Sequence, residues 1–247
     1  MMKRLDGRVA IVTGSSRGIG AAIARRLAAD GASVIVNYVS DEASARDVVS
    51  RIEAAGGQAF AVREDLTKLS AAEALVEAAV RRHGRLDILV NNAANLHVQP
   101  LESIRPEDYA WQMDLNLRTP LFLIQQAARH LPAGGRVINI SSRAAQRAVP
   151  GAALYSAAKA GLEAFTRVLS QELGPRGITV NTVESGPVET DLLRRLVNEE
   201  GLQEMARSAA LGRLGRPEDI ADVVAFLASE DSRWVSGQTL AADGGMR

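Results

Sequence analysis

The chain has no cysteine, which excludes disulfides, thiolate nucleophiles and cysteine-ligated zinc. Histidine offers no substitute, because His83, His97 and His130 lie far apart with no ligand spacing between them. No metal is expected. Net charge is absent as well: 29 basic residues balance 29 acidic ones and are mixed along the chain. That leaves no basic field for a nucleic-acid backbone, so nucleic acid is not an expected partner. No apolar run of signal-peptide length follows the opening MMKRLDGRVA, and no stretch approaches the ~18 uncharged residues of a membrane span. A soluble, cytoplasmic protein with no membrane partner is the expectation. No Pro/Gly/Ser linker divides the 247 residues, so one domain over 1–247 is expected.

Short runs rich in Val and Ile alternate with Ala-rich segments of helical length studded with Arg and Glu. This is the repeated βα pattern of an α/β protein: a doubly wound, mostly parallel seven-stranded sheet with helices on both faces, Rossmann-type. Strands are predicted near 8–13, 33–38, 58–63, 86–90, 135–141, 177–183 and 238–242. Helices fit 18–30, 41–55, 70–83, 112–131, 153–174 and 217–228. Residues 187–216 break the rhythm and read as a helical excursion, placed where a movable cover selects substrate.

The first strand leads through TGSSRGIG into an Ala-rich helix. Gly14 suits the tight turn, Gly18 leaves room for a pyrophosphate beside backbone N–H groups, and Gly20 lets the helix pack on the sheet. After the second strand, where an NAD enzyme places a carboxylate against the ribose 2′-hydroxyl, stand Asn37 and Tyr38. Arg17 could supply charge to a 2′-phosphate, with Asn37 and Ser40 as donors, so NADP(H) is preferred over NAD(H). The competing reading gives the acid's work to Asp41 or Glu42, which keeps NAD(H) admissible.

YSAAK puts Tyr155 and Lys159 four apart on one helix face. An adjacent ammonium favours the phenolate and would bring Tyr155 toward a working range as proton donor to a carbonyl or base toward an alcohol. Ser142, ending GGRVINISS, could hold the substrate oxygen toward the phenol. The glycine turn, Asp65, Asn91, Ser142 and the Glu184-Ser185-Gly186 turn all fall at strand carboxyl ends, the edge where open α/β sheets bind ligands. A serine hydrolase is excluded by the missing Gly-x-Ser-x-Gly elbow and by the absence of any histidine after His130. A P-loop is excluded because the glycine loop lacks its Lys-Ser/Thr pair.

With TGSSRGIG, LDILVNNAA, NISS, YSAAK and the terminal GQTLAADGG in place, the chain resembles the single-domain form of the short-chain dehydrogenase/reductase family over nearly its whole length. The resemblance implies that Asn116 joins Ser142, Tyr155 and Lys159 in catalysis by placing a water against Lys159. It implies that Asp65 accepts from the adenine amino group and that Lys159 holds the nicotinamide ribose. Further cofactor contacts are implied at Ser16, Ile19, Leu66, Asn92, Ala93, Gly186, Val188 and Thr190, and at Ala94, which stands where the family usually has Gly. Ser185-Gly186-Pro187 replaces the family's usual Pro-Gly. The chain looks most similar to 3-oxoacyl-carrier-protein reductases and bacterial glucose dehydrogenases. The thioester reading is preferred because the excursion offers a sugar few polar groups beyond Asn198 and Gln203, and Arg194, Arg195, Arg207 and Arg213 are candidates to meet an acidic acyl-carrier protein. A polyol or small-alcohol dehydrogenase and a non-catalytic NADP(H)-binding regulatory module are the competing functions. Apolar surplus at Leu117, Leu121, Phe122 and Leu123, together with the family's habit, implies a homotetramer, with a dimer as the alternative.

Overall fold

The computed structural model of the protein describes residues 3–246; residues 1–2 and 247, the ends of the expected 1–247 domain, lie outside the described residues. Seven parallel strands form one sheet in the order β3-β2-β1-β4-β5-β6-β7. They are β1 (Val9–Val12), β2 (Ser33–Tyr38), β3 (Gln58–Arg63), β4 (Ile88–Asn91), β5 (Arg136–Ser142), β6 (Thr179–Ser185) and β7 (Thr239–Ala242). The central strands are buried on both faces, which is why their sequences read as continuous apolar runs. The order reverses between β1 and β4, and a crevice at such a point is where doubly wound sheets take their ligands.

Helices α1 (Gly18–Ala29), α2 (Glu42–Ala54) and α9 (Pro217–Ala228) cover one face through residues such as Ile23, Leu27, Val48, Ile52, Ile220 and Val224. Each of these buried side chains contributes about 1.5–3 kcal/mol of hydrophobic stabilisation. Helices α3 (Leu69–His83), α5 (Thr119–Ala128) and α6 (Ala153–Leu173) cover the other face, and α4 (Pro106–Met113) packs against α6. Leu75, Leu123, Ile124 and Leu169 contribute to the second core cluster.

The helix expected at 112–131 is instead α4, a π-helical turn over Asp114–Arg118, and α5. Helix α4 begins at Pro106, with Asp108 accepting from the Arg105 backbone N–H. The π turn has a local cause. The Asn116 amide donates at 2.8 Å to the Gln112 carbonyl, which a regular helix would offer to the Asn116 backbone N–H.

The excursion forms α7 (Asp191–Leu196) and α8 (Glu199–Ser208), capped by the side chains of Thr190 and Asn198. Its neck is closed by a parallel bridge between Val188 and Gly215. Its exit arm is tied to the C-terminal tail by Leu211 N–H on the Gly244 carbonyl. Among the described residues no helix is long and apolar enough to cross a membrane.

Candidate active site

At the carboxyl edge of β1 the chain turns through Gly14 and Gly18, both with positive φ (59° and 56°). A Cβ on Gly14 would stand 2.9 Å from the Ala93 Cα, and one on Gly20 would stand 2.5 Å from both the Gly14 carbonyl and the Asn92 amide. Gly20 therefore serves the loop's own fold, a correction to the expected role in helix-on-sheet packing. Gly18 faces the Thr190 methyl, with 3.4 Å between that methyl and a Cβ placed on the glycine. The segment after β6 thus comes down over the glycine loop and brings Thr190 beside it.

The loop is braced from below by side chains whose type the sequence shows and whose direction it does not. Thr13 Oγ1 accepts from the backbone N–H groups of Asn92 and Ala93 at 2.9 Å. Asn92 Nδ2 donates to the Thr13 carbonyl, and Ser15 accepts from Asn37 N–H. Asn37 is buried; its Oδ1 accepts from Gly14 N–H at 3.1 Å and its Nδ2 donates to the Glu64 carbonyl at 3.2 Å. Asn37 is therefore committed beneath the loop and does not present a donor to a ribose phosphate, which corrects the expectation from its position. Tyr38 is mostly buried against the first core cluster, and Leu66 buries its side chain in the second, so only the Leu66 backbone can face the site.

Other expected residues are turned outward. Arg17 and Ser40 are exposed, and Ser16 and Ile19 are half-buried on the loop. Arg17 lies close enough to Asp41 to help hold its carboxyl below the usual range, after the larger effect of the Ser44 hydrogen bonds. Asp65 accepts from the Thr67 N–H and hydroxyl through one oxygen, which lowers its pKa and leaves the second oxygen without a partner among the described residues. No side chain caps the start of α1, and no acid lies in its first turn. Uncapped N–H groups behind two positive-φ glycines form a cradle whose chemistry fits a dinucleotide pyrophosphate.

Across the sheet, Asn91 links the central strands by donating to Asn139 at 2.8 Å. Ser142 ends β5, its Oγ accepting from Ala144 N–H at 3.2 Å. Tyr155 and Lys159 stand one turn apart on α6, with Nζ 5.6 Å from the centre of the phenol ring. Lys159 is buried and donates to the Ile140 carbonyl at 2.8 Å. The structure thus gathers Ser142, Tyr155 and Lys159, but with electrostatics opposite to the expectation. Burial pushes the Tyr155 phenol up, a hydrogen bond with Ser142 pulling it part of the way back. Burial also pushes Lys159 down to about 8. Desolvation is the leading cause for Tyr155 and the sole cause for Lys159.

Asn116 sits at the π turn, next to α6 through the packing of Leu117 on Gly161. Its amide bonds Asn95 and Gln112, so it anchors the segment after β4, and no hydrogen bond joins it to Lys159. Gln112 repeats the device, exchanging two hydrogen bonds with the His97 backbone. Gln112 and Asn95 were not legible as site residues, since their partners come from the tertiary fold. Ala94 is exposed at the rim, Gly186 packs against Asp243, and Val188 is buried at the neck of the excursion. Arg194 pairs with Glu189, and Arg213 with Asp219 at 2.6 Å, so two of the four arginines assigned to a carrier protein already have local partners.

Residues 14–247 match the family model described as enoyl-(acyl carrier protein) reductase. An uncharacterized oxidoreductase of Methylorubrum extorquens is 47% identical over 248 residues, covering 100% of both chains. A hydroxynaphthalene reductase of Aspergillus fumigatus is 44% identical over 246 residues, covering 95% of this chain and 90% of its own. A short chain dehydrogenase from Burkholderia cenocepacia, solved in complex with NADP, superimposes with a TM-score of 0.93 at 40% identity, covering 98% of each chain.

Proposed function

The chain belongs to the short-chain dehydrogenase/reductase family, and we propose that it is an NADPH-dependent reductase that converts a ring ketone to a secondary alcohol. The observation that carries the reading is the meeting of Ser142, Tyr155 and Lys159 at the strand edge that also carries the uncapped glycine cradle. Gly14, Gly18 and the first-turn amides of α1 would hold the pyrophosphate, Arg17 and Ser40 a ribose 2′-phosphate, the free Asp65 oxygen the adenine amine, and Lys159 the nicotinamide ribose. When bound, the dinucleotide supplies the hydride. The neighbour solved with NADP supports NADP(H), and so does the absence of an acid at Asn37 and Tyr38, where an NAD enzyme would carry one.

The remaining chemistry belongs to the side chains. A phenol whose pKa is raised stays protonated at neutral pH and can donate to the developing alkoxide. Ser142 holds the carbonyl oxygen toward that phenol, and Lys159, buried behind the ring, stabilises the phenolate left after transfer. Asn116 keeps the segment carrying Asn95 in register with α6.

For the substrate, the entrance carries little net positive charge. Arg194 and Arg213 are paired, and α8 presents Glu199, Glu200 and Glu204 against Arg207. That weighs against docking of an acidic carrier protein, and the similarity to hydroxynaphthalene reductases favours a hydroxyaryl or fused-ring ketone. Sugars lose support because Asn198 is engaged as the α8 cap. A 3-oxoacyl thioester is the second reading, favoured by Arg195 and Arg207, exposed and outside any ion pair among the described residues. Leu117, Leu121 and Phe122 remain half-buried on the single chain, in keeping with a homotetramer, which light scattering tests.

The deciding experiment follows NADPH consumption with tetralone-type ring ketones, acetoacetyl thioesters, simple ketones, quinones and sugars. Ring ketones should respond most strongly, and a dominant thioester response would replace this substrate class. Tyr155→Phe should bind NADPH normally by fluorescence and lose reduction by about 10²–10⁴-fold. Full turnover by that variant would remove Tyr155 from the mechanism, and NADPH binding without turnover in the unaltered protein would support a regulatory module.

A further inference from the structure

Ser142 is followed by an arginine that turns back under the site. Arg143 donates through Nη1 to Glu184 at 2.9 Å and its Nε stands 3.1 Å from the Asp243 carboxylate. Glu184 is 2% exposed and lies on β6 directly opposite Ser141 in the ladder, so the ion pair crosses from β5 to β6 one residue beyond Ser142. Burial pushes the Glu184 carboxyl up, Arg143 opposes that, and the nearby Glu163 and Asp243 add to it. One cation therefore pairs with two acids, the buried Glu184 and the partly buried Asp243. Glu163 in turn accepts from the Ser141 hydroxyl at 2.7 Å, which engages the same strand end from the α6 side.

Asp243 is the other arm. One of its oxygens faces Arg143, and the other accepts from Gly245 N–H at 2.9 Å. Gly186 packs so closely that a Cβ there would lie 2.7 Å from the Asp243 Cα. The tail beyond Asp243 holds the exit of the helical excursion: Leu211 N–H bonds the Gly244 carbonyl at 3.1 Å, and Ala210 N–H the Gly245 carbonyl at 3.3 Å. A continuous chain of contacts thus runs from Ser142 through Arg143 and Asp243 to the exit arm of the excursion.

We propose that Arg143 and Asp243 are positioning residues that couple the placement of Ser142 to the seating of the α7–α8 excursion. Neither touches the reacting atoms. Their work is to fix the β5 end against the tail, so that a seated excursion and an aligned Ser142 occur together. Removing the guanidinium leaves buried acids without their cation and strands that repel one another, a more severe lesion than losing a surface pair.

The proposal rests on the reductase reading for its kinetic arm only. Arg143→Met should lower kcat for the ketone by tenfold or more and raise its KM while the NADPH dissociation constant stays within threefold. Arg143→Lys should recover a substantial part of the loss, and Asp243→Asn should lower kcat about threefold at unchanged NADPH affinity. Hydrogen exchange supplies a readout independent of turnover. In Arg143→Met, peptides spanning 141–147 and 209–213 should lose protection together, although they are far apart in sequence. A kcat within twofold of the unaltered protein, or faster exchange confined to 141–147, overturns the coupling. Should Arg143→Met fail to fold, Asp243→Asn decides: kcat unchanged and 209–213 still protected would sink it. A protein inert toward every ketone defeats the functional reading instead, and the exchange experiment still decides the coupling.

Discussion

Replacing Lys159 with Met should make the protein more stable and inactive at once. The ammonium is buried, and burial lowers its pKa from 10.5 to about 8. At about 1.4 kcal/mol per pKa unit, keeping it charged costs the folded state about 3 kcal/mol at neutral pH. Met retains most of the aliphatic stem and carries no charge. The Ile140 carbonyl, now bonded at 2.8 Å, loses its partner, a loss of about 1 kcal/mol. The variant should therefore gain about 2 kcal/mol, or about 4–8 °C in Tm for a domain of this size. The pH dependence follows from the protons bound in each state. Unfolded Lys159 keeps its proton up to about 10.5 and the folded residue releases it at about 8, so the unaltered protein gains stability as pH rises between these values. The gap between the two proteins should be full below pH 8, vanish before pH 10.5 and end about 1 kcal/mol in the parent's favour, because the hydrogen bond to Ile140 is still missing from the variant. Urea unfolding at several pH values measures it, and NADPH-dependent ketone reduction should fall at least about a hundredfold. A variant less stable than its parent at pH 7, or a gap that ignores pH, refutes the desolvation argument.

Two further substitutions separate residues that face a ligand from residues that hold the loop. Arg17→Ala should raise the NADPH dissociation constant about tenfold, the equivalent of one charge-assisted hydrogen bond, and leave NADH binding and Tm nearly unchanged; equal weakening of both nucleotides would remove Arg17 from the 2′-phosphate. Asn37→Ala leaves the Gly14 N–H and the Glu64 carbonyl without their buried partner. It should cost about 2–4 kcal/mol in thermal unfolding and weaken both nucleotides together, and an unchanged Tm would show that the brace is not needed.

Strands β1, β2 and β4 were legible because buried parallel strands leave near-continuous apolar runs, while the partly buried β3 and β7 were placed by the alternation of strands with helices. The candidate site was legible because Tyr155 and Lys159 lie one helical turn apart. Helix α4 was not read, since Tyr109 and Trp111 are exposed and give it no apolar stripe. A signal was nevertheless present: Arg105-Pro106-Glu107-Asp108 repeats as Arg216-Pro217-Glu218-Asp219, and both quartets start helices through the same capping box. The π turn was invisible because it depends on Asn116 finding Gln112 and Asn95 at once. The sign of the Tyr155 shift was misjudged for a related reason. Spacing reports which charge is near, whereas desolvation depends on what the whole fold places around the ring. The Arg143, Glu184 and Asp243 cluster required strand register, which local sequence does not carry.

These misreadings share a physical origin that also divides the glycine-loop region into two classes of side chain. Thr13, Ser15, Asn37 and Asn92 are polar residues beside a ligand crevice, yet their hydrogen-bonding groups point into the protein. Buried donors and acceptors are satisfied internally, because leaving them unmade costs more than a water-exposed bond returns. Arg17, Ser40 and the second oxygen of Asp65 escape that rule by facing outward, and their groups stay free for an incoming molecule. Polarity near the site therefore does not by itself identify a binding residue; unmet hydrogen-bonding capacity does. The two classes should part in experiment along that line. Changes to the inward group should move Tm and nucleotide affinity together, as for Asn37→Ala, and changes to the outward group should move affinity alone, as for Arg17→Ala.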